Sequence, residues 1–399
     1  IRIQILMKFK KEYLIIFLIQ VSEVLGFSLI LPFLPLYAES LGATPMLIGF
    51  ILFSFSFFQF WTSPIMGKLS DHYGRKPLLI ISQFSTFISF IVLGFANTIG
   101  LIILSRIIDG LLGSNFSIAQ AYLSDISSKK DRSKVFGLSG VAFGFGFLVG
   151  PAIGGYLAEI SSLGFGLPCF ISAGISLLTI FLTAFFLKET VKKKKKKMIF
   201  RNLFHFNNFK KYFSNKDVSS LLWQFFFYLI CHITFTSQMA LFTNKQFGFK
   251  SKEVGFLLAY VGLNSIIQRG VVLPKLIDYF GEKKLLNLGI FSVIIGLIIS
   301  SIINKGWMLV FAITFFSTGA GVIRPLLVGG VSKKVSGKEQ GAILGITNSL
   351  GSLAQMIGPL IGGFVLSYFA PGILPLTSAF FMGLVLVMII KSSKKSINY

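Results

Sequence analysis

The sequence predicts an all-α membrane protein with twelve transmembrane helices arranged as two pseudo-symmetric six-helix bundles. Of the 399 residues, 54% are hydrophobic and only 13% are charged, with a mean hydropathy of +0.79. Soluble domains carry about 25% charged residues. Apolar runs of about 20 residues, the length that crosses a bilayer, recur along the chain. Its two halves also share motifs in the same order, which indicates an internal repeat.

Short polar turns separate the apolar runs and set the limits of the predicted spans. The first run follows a basic flank, as in a signal peptide, but no small-residue cleavage site follows it, so we interpret it as a transmembrane helix. The predicted spans are residues 12–37, 46–66, 78–97, 100–124, 135–158, 165–187, 218–243, 253–274, 285–302, 307–331, 340–366 and 372–390.

The net charge of +24 suggests a nucleic-acid partner, but the distribution of the charges argues against one. Most of the 38 Lys and Arg residues lie in alternate loops, including the run Lys192–Lys197, whereas the intervening loops hold Lys245, Lys250, Lys252 and Lys305. This asymmetry is the positive-inside pattern of membrane proteins. It predicts that both termini are cytoplasmic. We expect a multi-pass protein of the cell (inner) membrane, surrounded by membrane lipids rather than by nucleic acid.

Two motifs occur twice at nearly the same offset. The stretch "VGPAIGGYL" at 149–157 recurs as "IGPLIGGFV" at 357–365, and "GKLSDHYGRK" at 67–76 recurs as "PKLIDYFGEK" at 274–283. A repeated membrane protein places its substrate path between the repeats. The predicted domains are an N-terminal six-helix bundle at 1–187, a Lys-rich cytoplasmic linker at 188–216 and a C-terminal six-helix bundle at 217–399.

The turn between spans 2 and 3 reads "GKLSDHYGRKP" and carries a candidate gating loop. Gly67 permits close helix approach, and Gly74 can take the positive φ of a sharp reversal. Asp71 can accept backbone N–H groups at a helix N-terminus. Arg75 can bridge carboxylates, and Asp125 at the end of span 4 is an available partner. The alternative is a basic turn that only sets topology; the second copy of the motif favours a mechanical role.

Two carboxylates, Glu23 and Asp109, lie well inside predicted spans, where a charge costs about 2.5 kcal/mol or more. Burial disfavours the charged form, so either group can bind and release a proton near neutral pH. Arg106 lies one turn from Asp109 and can pair with it, and the alternative for these two residues is an inert structural ion pair. We expect Glu23 to carry the proton, with Arg106 tuning it and Asp109 as the second candidate.

Span 4 carries polar and small residues at steps of three and four, which predicts one polar helical face towards a water-filled path. Other polar residues within spans are weaker candidates for a substrate cavity, and interhelical hydrogen bonds are the alternative for each. The predicted face holds Arg106, Asp109, Gly113, Ser117, Gln120 and Ser124. The cavity candidates are Asn115, Ser117, Gln120, His232, Gln238 and Arg324.

Span 5 has a glycine face formed by Gly146, Gly150 and Gly154, next to Pro151 and Gly155. Small residues at steps of four let two helices approach closely, so packing alone explains the pattern.

The sequence lacks the motifs of common enzyme chemistry. Cys169 and Cys231 both fall in apolar runs, without disulfide or metal-ligand spacing. The stretch "GLLGSNFS" lacks the Lys of a phosphate-binding loop. We therefore expect no enzyme activity, no metal and no cofactor, with a proton gradient as the energy source.

Four stretches of the sequence resemble motifs of the major facilitator superfamily. "GKLSDHYGRKP" looks like its loop between helices 2 and 3, and "LSRIIDG" at 104–110 looks like its helix-4 motif. "GFLVGPAIGG" at 146–155 and "LGFSLILPFLPLY" at 25–37 look like the helix-5 and helix-1 motifs of the drug:proton antiporter branch. "RIIDGLLGSNFSIAQAYLSDIS" is similar to the tetracycline-efflux group.

The resemblance implies the major facilitator fold and transport by alternating access. In such families the helix 2–3 loop latches the outward-facing state, so that Asp71 would meet the N-terminus of helix 11 and Arg75 would tie Asp71 to Asp125. The glycine face of helix 5 would seal the contact between the halves. The second loop departs from the pattern, because Pro274 and Glu282 stand where the first loop has Gly67 and Arg75.

The predicted function is a monomeric secondary active transporter that exports an amphipathic, drug-like small molecule in exchange for protons. Two alternatives remain open from the residues alone. One is a proton-coupled or facilitative carrier of a metabolite, sugar or lipid. The other is a membrane interaction protein that keeps the fold without transport.

Overall fold

The computed structural model describes residues 11–127, 132–160, 163–191, 211–268, 272–336 and 339–397, and these residues are almost entirely helical. The Lys192–Lys197 run lies outside them. In chain order, the helices are α1 (Lys11–Ile30), α2 (Leu34–Ser40), α3 (Pro45–Tyr73), α4 (Arg75–Gly94), α5 (Ile99–Leu112), α6 (Asn115–Ile126), α7 (Arg132–Ile160), α8 (Gly166–Phe186), α9 (Lys216–Ser237), α10 (Met239–Phe247), α11 (Ser251–Ile267), α12 (Leu273–Ile302), α13 (Leu309–Lys333), α14 (Gln340–Tyr368) and α15 (Ile373–Ile397).

Eleven helical segments of the described chain are long and apolar enough to cross a membrane. The helix at the predicted eighth span, α11, has 17 residues and is shorter than these eleven. At a rise of about 1.5 Å per residue, its length is about 25 Å. The described helices thus provide one helical segment for each of the twelve predicted spans.

Three predicted spans are interrupted rather than continuous. Span 1 breaks at Pro32, where the backbone N–H of Leu31 and of Phe33 each reaches back only three residues. Proline has no backbone N–H to donate, which explains this break. Span 4 breaks at Gly113, whose ψ of 67° is not helical. Span 7 breaks at Gln238, with φ −108° and ψ 8°. The predicted spans at 12–37, 100–124 and 218–243 therefore each contain a local break in the helix.

The chain forms two compact units whose limits differ from those of the predicted bundles. Unit 1 comprises the described residues within 1–41, 57–203 and 251–259, and unit 2 comprises those within 42–56, 204–250 and 260–399. In unit 1, α1 packs against α7 and α8, and α4 packs against α5 and α8. In unit 2, α9 packs against α14 and α15, and α12 packs against α13 and α15.

The described C-terminal part of the predicted linker is anchored in unit 2. Residues 211–214 are helical, and Lys211 forms an ion pair with Glu339 just before α14. The hydrogen bond from Lys211 lowers the pKa of the Glu339 carboxyl to about 2. Both groups are therefore charged at neutral pH.

The glycine face of α7 packs against α1 within unit 1. A Cβ added at Gly150 would overlap Ser28 Oγ, and one added at Gly154 would overlap the carbonyl oxygen of Leu29. Ser28 Oγ also donates to the carbonyl oxygen of Gly146 at 2.8 Å. These three glycines therefore bring two helices of the N-terminal half together, and a role of the helix-5 motif in sealing the contact between the halves stays a prediction.

Replacing Gly154 with alanine is expected to lower the unfolding free energy by about 1–3 kcal/mol, because the two helices must separate to admit the methyl group. The measurement is the unfolding midpoint of the detergent-purified protein. Gly140→Ala on the same helix is the matched control, since an added Cβ there has no described atom within 4 Å. An equal midpoint for the two variants would contradict the close packing of α7 on α1.

Two other residues of the helix-5 motif lie against α11. A Cβ added at Gly155 would overlap the carbonyl oxygen of Ser251, and one added at Gly255 would overlap that of Pro151. The backbones of α7 and α11 are therefore in direct contact at this point of unit 1.

Unit 2 repeats this contact with the equivalent residues. A Cβ added at Gly363 would overlap the carbonyl oxygen of Pro45, and one added at Gly49 would overlap that of Pro359. The motif repeat at 149–157 and 357–365 pairs Pro151 with Pro359. The internal repeat therefore extends to pairs of helices packed backbone to backbone.

Candidate functional site

A buried polar cluster occupies the interior of unit 1. It is formed by side chains from five helices, namely Glu23 (α1), Thr86 (α4), Arg106 and Asp109 (α5), Asn115 (α6) and Thr179 (α8). Glu23 is half-buried and the other five are buried. Polar groups at such depth require hydrogen-bond partners, which they find in one another.

The break in span 4 positions the cluster. At Gly113, φ −69° and ψ 67° are the angles of an inverse γ-turn. The Ser114 backbone N–H closes this turn onto the carbonyl oxygen of Leu112 at 2.7 Å and also donates to Ser82 Oγ at 2.7 Å. A Cβ at Gly113 would overlap the carbonyl oxygen of Asp109, so glycine is required here. The new helix starts at Asn115, whose side chain reaches Glu23.

Three hydrogen bonds join the carboxylates of Glu23 and Asp109 through neutral groups, and a fourth holds Glu23 from the other side. Asn115 Nδ2 donates to Glu23 Oε2 at 2.7 Å and to Thr86 Oγ1 at 3.0 Å. Thr86 Oγ1 in turn donates to Asp109 Oδ1 at 2.9 Å. On the other side of the cluster, Thr179 Oγ1 donates to Glu23 Oε1 at 3.2 Å. The two acids therefore belong to one network, with Asn115 and Thr86 between them.

Arg106 lies at the far end of this network. Its Nη1 is 3.7 Å from Asp109 Oδ2, and its Nη2 donates to Ser89 Oγ at 3.0 Å. The exposed fractions of Arg106 and Asp109 are 2% and 5%, so this ion pair is fully buried. Among the described contacts, Arg106 pairs with Asp109 rather than with Glu23, and the tuning of Glu23 by Arg106 stays a prediction.

The predicted polar face of span 4 does not persist past the break. Asn115, predicted only as a weak cavity candidate, is a direct partner of Glu23. Ser117 is exposed and Gln120 is half-buried, and neither joins the buried polar cluster. The face was predicted for a continuous helix, and the turn at Gly113 changes the direction of the residues that follow it. The structure thus places Arg106 and Asp109 in the cluster and leaves Ser117 and Gln120 outside it, and the part of these two residues in a substrate cavity stays a prediction.

The candidates in unit 2 lie in separate places. The His232 ring stacks on Phe316 with ring centroids 5.3 Å apart. Gln238 is buried, and its Nε2 donates to the carbonyl oxygen of Pro359 at 3.1 Å, which links the α9–α10 break to α14. Arg324 is exposed on α13. Their part in a substrate cavity stays a prediction.

Several polar residues of the site were missed in the sequence, although a periodic signal marks them. Serines and threonines recur at helical spacing on one buried face of α4 and on one of α8. The face of α4 supplies Thr86 to the cluster, and the face of α8 supplies Thr179. The two series are Ser82, Ser85, Thr86 and Ser89, and Ser172, Ser176, Thr179 and Thr183.

The gating-loop candidates meet at Arg75, at the start of α4. Arg75 Nε donates to Asp125 Oδ2 at 2.9 Å, and its Nη2 forms an ion pair with Asp71. Arg75 Nη1 donates to Ser70 Oγ at 2.6 Å. Arg75 is only 7% exposed, so these bonds lie in a partly desolvated place. An added Cβ at Gly67 has no described atom within 4 Å, which corrects the expectation that Gly67 allows close helix approach.

Glu189, which follows α8, fixes the same loop and was not identified in the sequence. Its carboxylate accepts hydrogen bonds from the backbone N–H groups of Arg75 at 2.9 Å and Lys76 at 3.1 Å. A carboxylate at a helix N-terminus satisfies free N–H groups and meets the positive end of the helix dipole. Gly74 has φ 112°, a conformation that favours glycine, and an added Cβ there would also displace this carboxylate.

The second copy of the loop, at 274–283, has the same backbone turn as the first, but its ion pair has the acidic and basic residues in exchanged positions. Gly281, the equivalent of Gly74, also has a positive φ, at 71°. Glu282 stands where the first loop has Arg75, and its Oε1 accepts from Lys333 Nζ at 2.6 Å. Lys333 ends α13, as Asp125 stands near the end of the equivalent α6. The acidic and basic partners of the pair are therefore interchanged between the repeats.

The chain is similar to proteins that confer drug resistance. Tetracycline resistance protein class H of Pasteurella multocida is 31% identical over 364 residues, which cover 90% of each chain. Tetracycline resistance protein class B of Escherichia coli is 28% identical over 367 residues, or 88% of each chain. Multidrug resistance protein 2 of Bacillus subtilis is 26% identical over 364 residues, also 88% of each chain.

Solved structures of transporters share the fold. The human organic anion transporter MFSD10 (TETRAN) superposes with a TM-score of 0.70 at 22% identity, covering 95% of this chain and 98% of that one. The nucleoside transporter NupG superposes with a TM-score of 0.72 at 14% identity, covering 96% and 98%. These likenesses and the described helices confirm the predicted fold class.

The family model of the Major Facilitator Superfamily matches residues 16–359 and 270–396. Together with the helical architecture and the resistance-protein relatives, this match identifies a multi-pass membrane transporter rather than an enzyme. The chain belongs to the Major Facilitator Superfamily.

Proposed function

We propose that this protein exports an amphipathic, drug-like compound in exchange for protons by alternating access. The observation that carries the proposal is the half-buried Glu23 carboxylate, which is hydrogen-bonded to neutral donors in a chain whose relatives are tetracycline and multidrug resistance proteins. Tetracycline-like molecules are the first substrates to test. In this proposal the protein works as a monomer without a cofactor, with both termini in the cytoplasm of a bacterial cell and the transporter in its inner membrane.

Glu23 is the better of the two proton carriers because of its partners. Among the described residues, it accepts hydrogen bonds from Asn115 and Thr179 and contacts no cation. Asp109, in contrast, already has the guanidinium of Arg106 as a counter-charge. Taking up a proton therefore neutralises an unbalanced charge at Glu23 but creates an unbalanced cation beside Asp109. Because charges are costly at this depth, proton exchange is favoured at Glu23.

The Arg75 loop is proposed to set the rate of the conformational change. Asp71 and Asp125 hold the Arg75 guanidinium from two sides, and Glu189 holds the start of the same helix. A charged bridge of this kind forms or breaks as a unit when its helices move. Asp71 is more than half exposed in this arrangement, so its carboxylate is accessible for a second partner.

Asp71→Asn is expected to slow turnover about tenfold while changing substrate affinity less than about twofold, because it weakens one state of the loop and leaves the buried polar cluster intact. Transport rate and equilibrium binding are measured on the same purified protein. Asp217→Asn, at an exposed carboxylate near the start of α9, is the control. A loss confined to binding would contradict the gating role of the loop.

Transport in proteoliposomes tests the proposed function. Purified protein is reconstituted, a pH gradient is imposed, and accumulation of tetracycline, cationic dyes, sugars and nucleosides is followed. Concentrative transport of a drug that stops when the gradient is collapsed supports proton-coupled export. Transport that only equalises concentrations supports a facilitative carrier, and transport of none of these compounds contradicts the proposal.

A further inference from the structure

In its present orientation, the Asn115 amide has one polar atom without a hydrogen-bond partner among the described residues. Nδ2 donates to both Glu23 and Thr86, whereas Oδ1 is buried and has no hydrogen-bond partner among the described residues. An unsatisfied buried carbonyl is costly. Rotating the amide by half a turn would exchange the two atoms and leave Nδ2 unsatisfied instead. Within the Asn115 amide, each orientation therefore leaves one polar atom unpaired.

The protonation state of Glu23 decides between these orientations. An ionised carboxylate only accepts hydrogen bonds, so it requires Nδ2 of Asn115 to face it. A protonated Glu23 can donate its O–H, and the amide carbonyl oxygen is then the matching partner. Because the same amide atom also faces Thr86, turning the amide places Oδ1 next to the Thr86 hydroxyl as well.

The Thr86 hydroxyl follows the amide. With Nδ2 facing it, Thr86 accepts from Asn115 and donates its own proton to Asp109. With Oδ1 facing it, the hydroxyl has a carbonyl acceptor on the Asn115 side and can donate there. Asp109 then loses that hydrogen bond and keeps Arg106, 3.7 Å away, as its partner.

We propose that Asn115 and Thr86 are positioning residues that report the protonation of Glu23 to the Asp109–Arg106 pair by turning the amide and reversing the hydroxyl. This inference rests on the proposed function, since it requires Glu23 to take up a proton. It adds a route by which a proton bound at Glu23 on α1 changes the hydrogen bonding of Asp109 on α5. No proton moves along the bridge, because the amide turns and the Thr86 hydroxyl only rotates.

The other groups around Glu23 do not offer this route. Among the described residues, Asp109 is the charged group that hydrogen bonds connect to Glu23, and it belongs to the proposed route itself. Thr179 on α8 bonds Glu23 without a described link to Asp109. Gln83 on α4 lies beside Glu23, and both polar atoms of its amide lack a hydrogen-bond partner among the described residues. The described part of α7 that packs on α1 is uncharged from 139 to 158.

Infrared spectroscopy of the purified full-length protein, titrated between about pH 5 and about pH 9, tests the inference. Glu23→Gln and Asp109→Asn identify the carboxyl bands of the two acids. In the unmodified protein, we expect the Asp109 band to shift with the same midpoint at which Glu23 titrates. In Thr86→Val, which keeps the side-chain shape and removes the hydroxyl, at least half of that shift is expected to be lost while Glu23 still titrates.

Two further variants serve as controls. Thr179→Val removes a hydroxyl from Glu23 outside the bridge, so the Asp109 band is expected to follow Glu23 as before, at a changed midpoint. Thr86→Ser keeps the hydroxyl and is expected to keep the shift, which separates the bridge from a packing defect. If Thr86→Val does not fold, Asn115→Leu removes the amide from the same bridge.

The outcomes separate the inference from the proposed function. An Asp109 band that follows Glu23 equally in Thr86→Val and in the unmodified protein overturns the bridge and leaves proton coupling by Glu23 standing. A Glu23 band that does not change across the titrated range overturns both.

Discussion

Glu23→Gln is expected to reduce the drug concentration ratio that a pH gradient builds across a proteoliposome membrane to about 1, because a gradient drives transport only through a group that binds the proton differently in two states. Glutamine matches the shape of a protonated glutamate, so Asn115 and Thr179 keep a hydrogen-bonding partner. Because drug binding and protonation of Glu23 oppose each other in this account, the affinity of the variant for the drug is expected to fall about three- to tenfold without being lost. Accumulation and binding are both measured.

The matched control for this substitution is Glu159→Gln, at an exposed position near the end of α7. It removes the same charge outside the buried polar cluster, and accumulation is expected to be unchanged. If Glu23→Gln still accumulates the drug as well as Glu159→Gln does, Glu23 is not the proton carrier. Asp109 is then the next residue to replace.

Arg106→Met is expected to lower the unfolding free energy by about 3–5 kcal/mol, because it leaves the carboxylate of Asp109 buried without its counter-charge. Methionine fills most of the space of the arginine stem, so the loss of charge dominates over a cavity. The double variant Arg106→Met with Asp109→Asn is expected to recover more than half of the loss. The unfolding free energies of the unmodified protein, the single variant and the double variant are measured by heat or denaturant in detergent solution.

The exposed Arg324 provides the control for the stability measurement. Arg324→Met removes a cation that has no described ion-pair partner, and its effect is expected to stay within about 0.5 kcal/mol. If the double variant is no more stable than Arg106→Met alone, the arginine stabilises the fold through Ser89 or through packing rather than through Asp109.

The parts of the structure that follow from local patterns could be predicted from the sequence. Runs of apolar residues located the spans, and the repeated motif predicted the equivalent loops. The positive φ of Gly74 was predicted directly, and the repeat places Gly281 at the equivalent turn. The pairing of Arg106 with Asp109 followed from their spacing on one helix. These features depend on residues that are neighbours in sequence or copies of each other.

The remaining features depend on contacts between distant segments. A glycine within an apolar helix does not reveal whether the helix breaks there, and the turn at Gly113 is stabilised by Ser82 from another helix. The side chain of Asn115 points to Glu23 only because of that turn. Likewise, the role of Glu189 depends on a backbone 113 or more residues away. A single sequence contains no direct signal of such partners.

The central claim is that binding of the exported compound and protonation of Glu23 are linked, and proton release tests it most directly. Purified protein in weakly buffered solution at a pH where Glu23 is partly protonated is mixed with saturating substrate, and a pH indicator follows the released protons. The account predicts release of a substantial fraction of one proton per chain by the unmodified protein and none by Glu23→Gln. Equal release by the two proteins, or none by either while substrate binds, would contradict it.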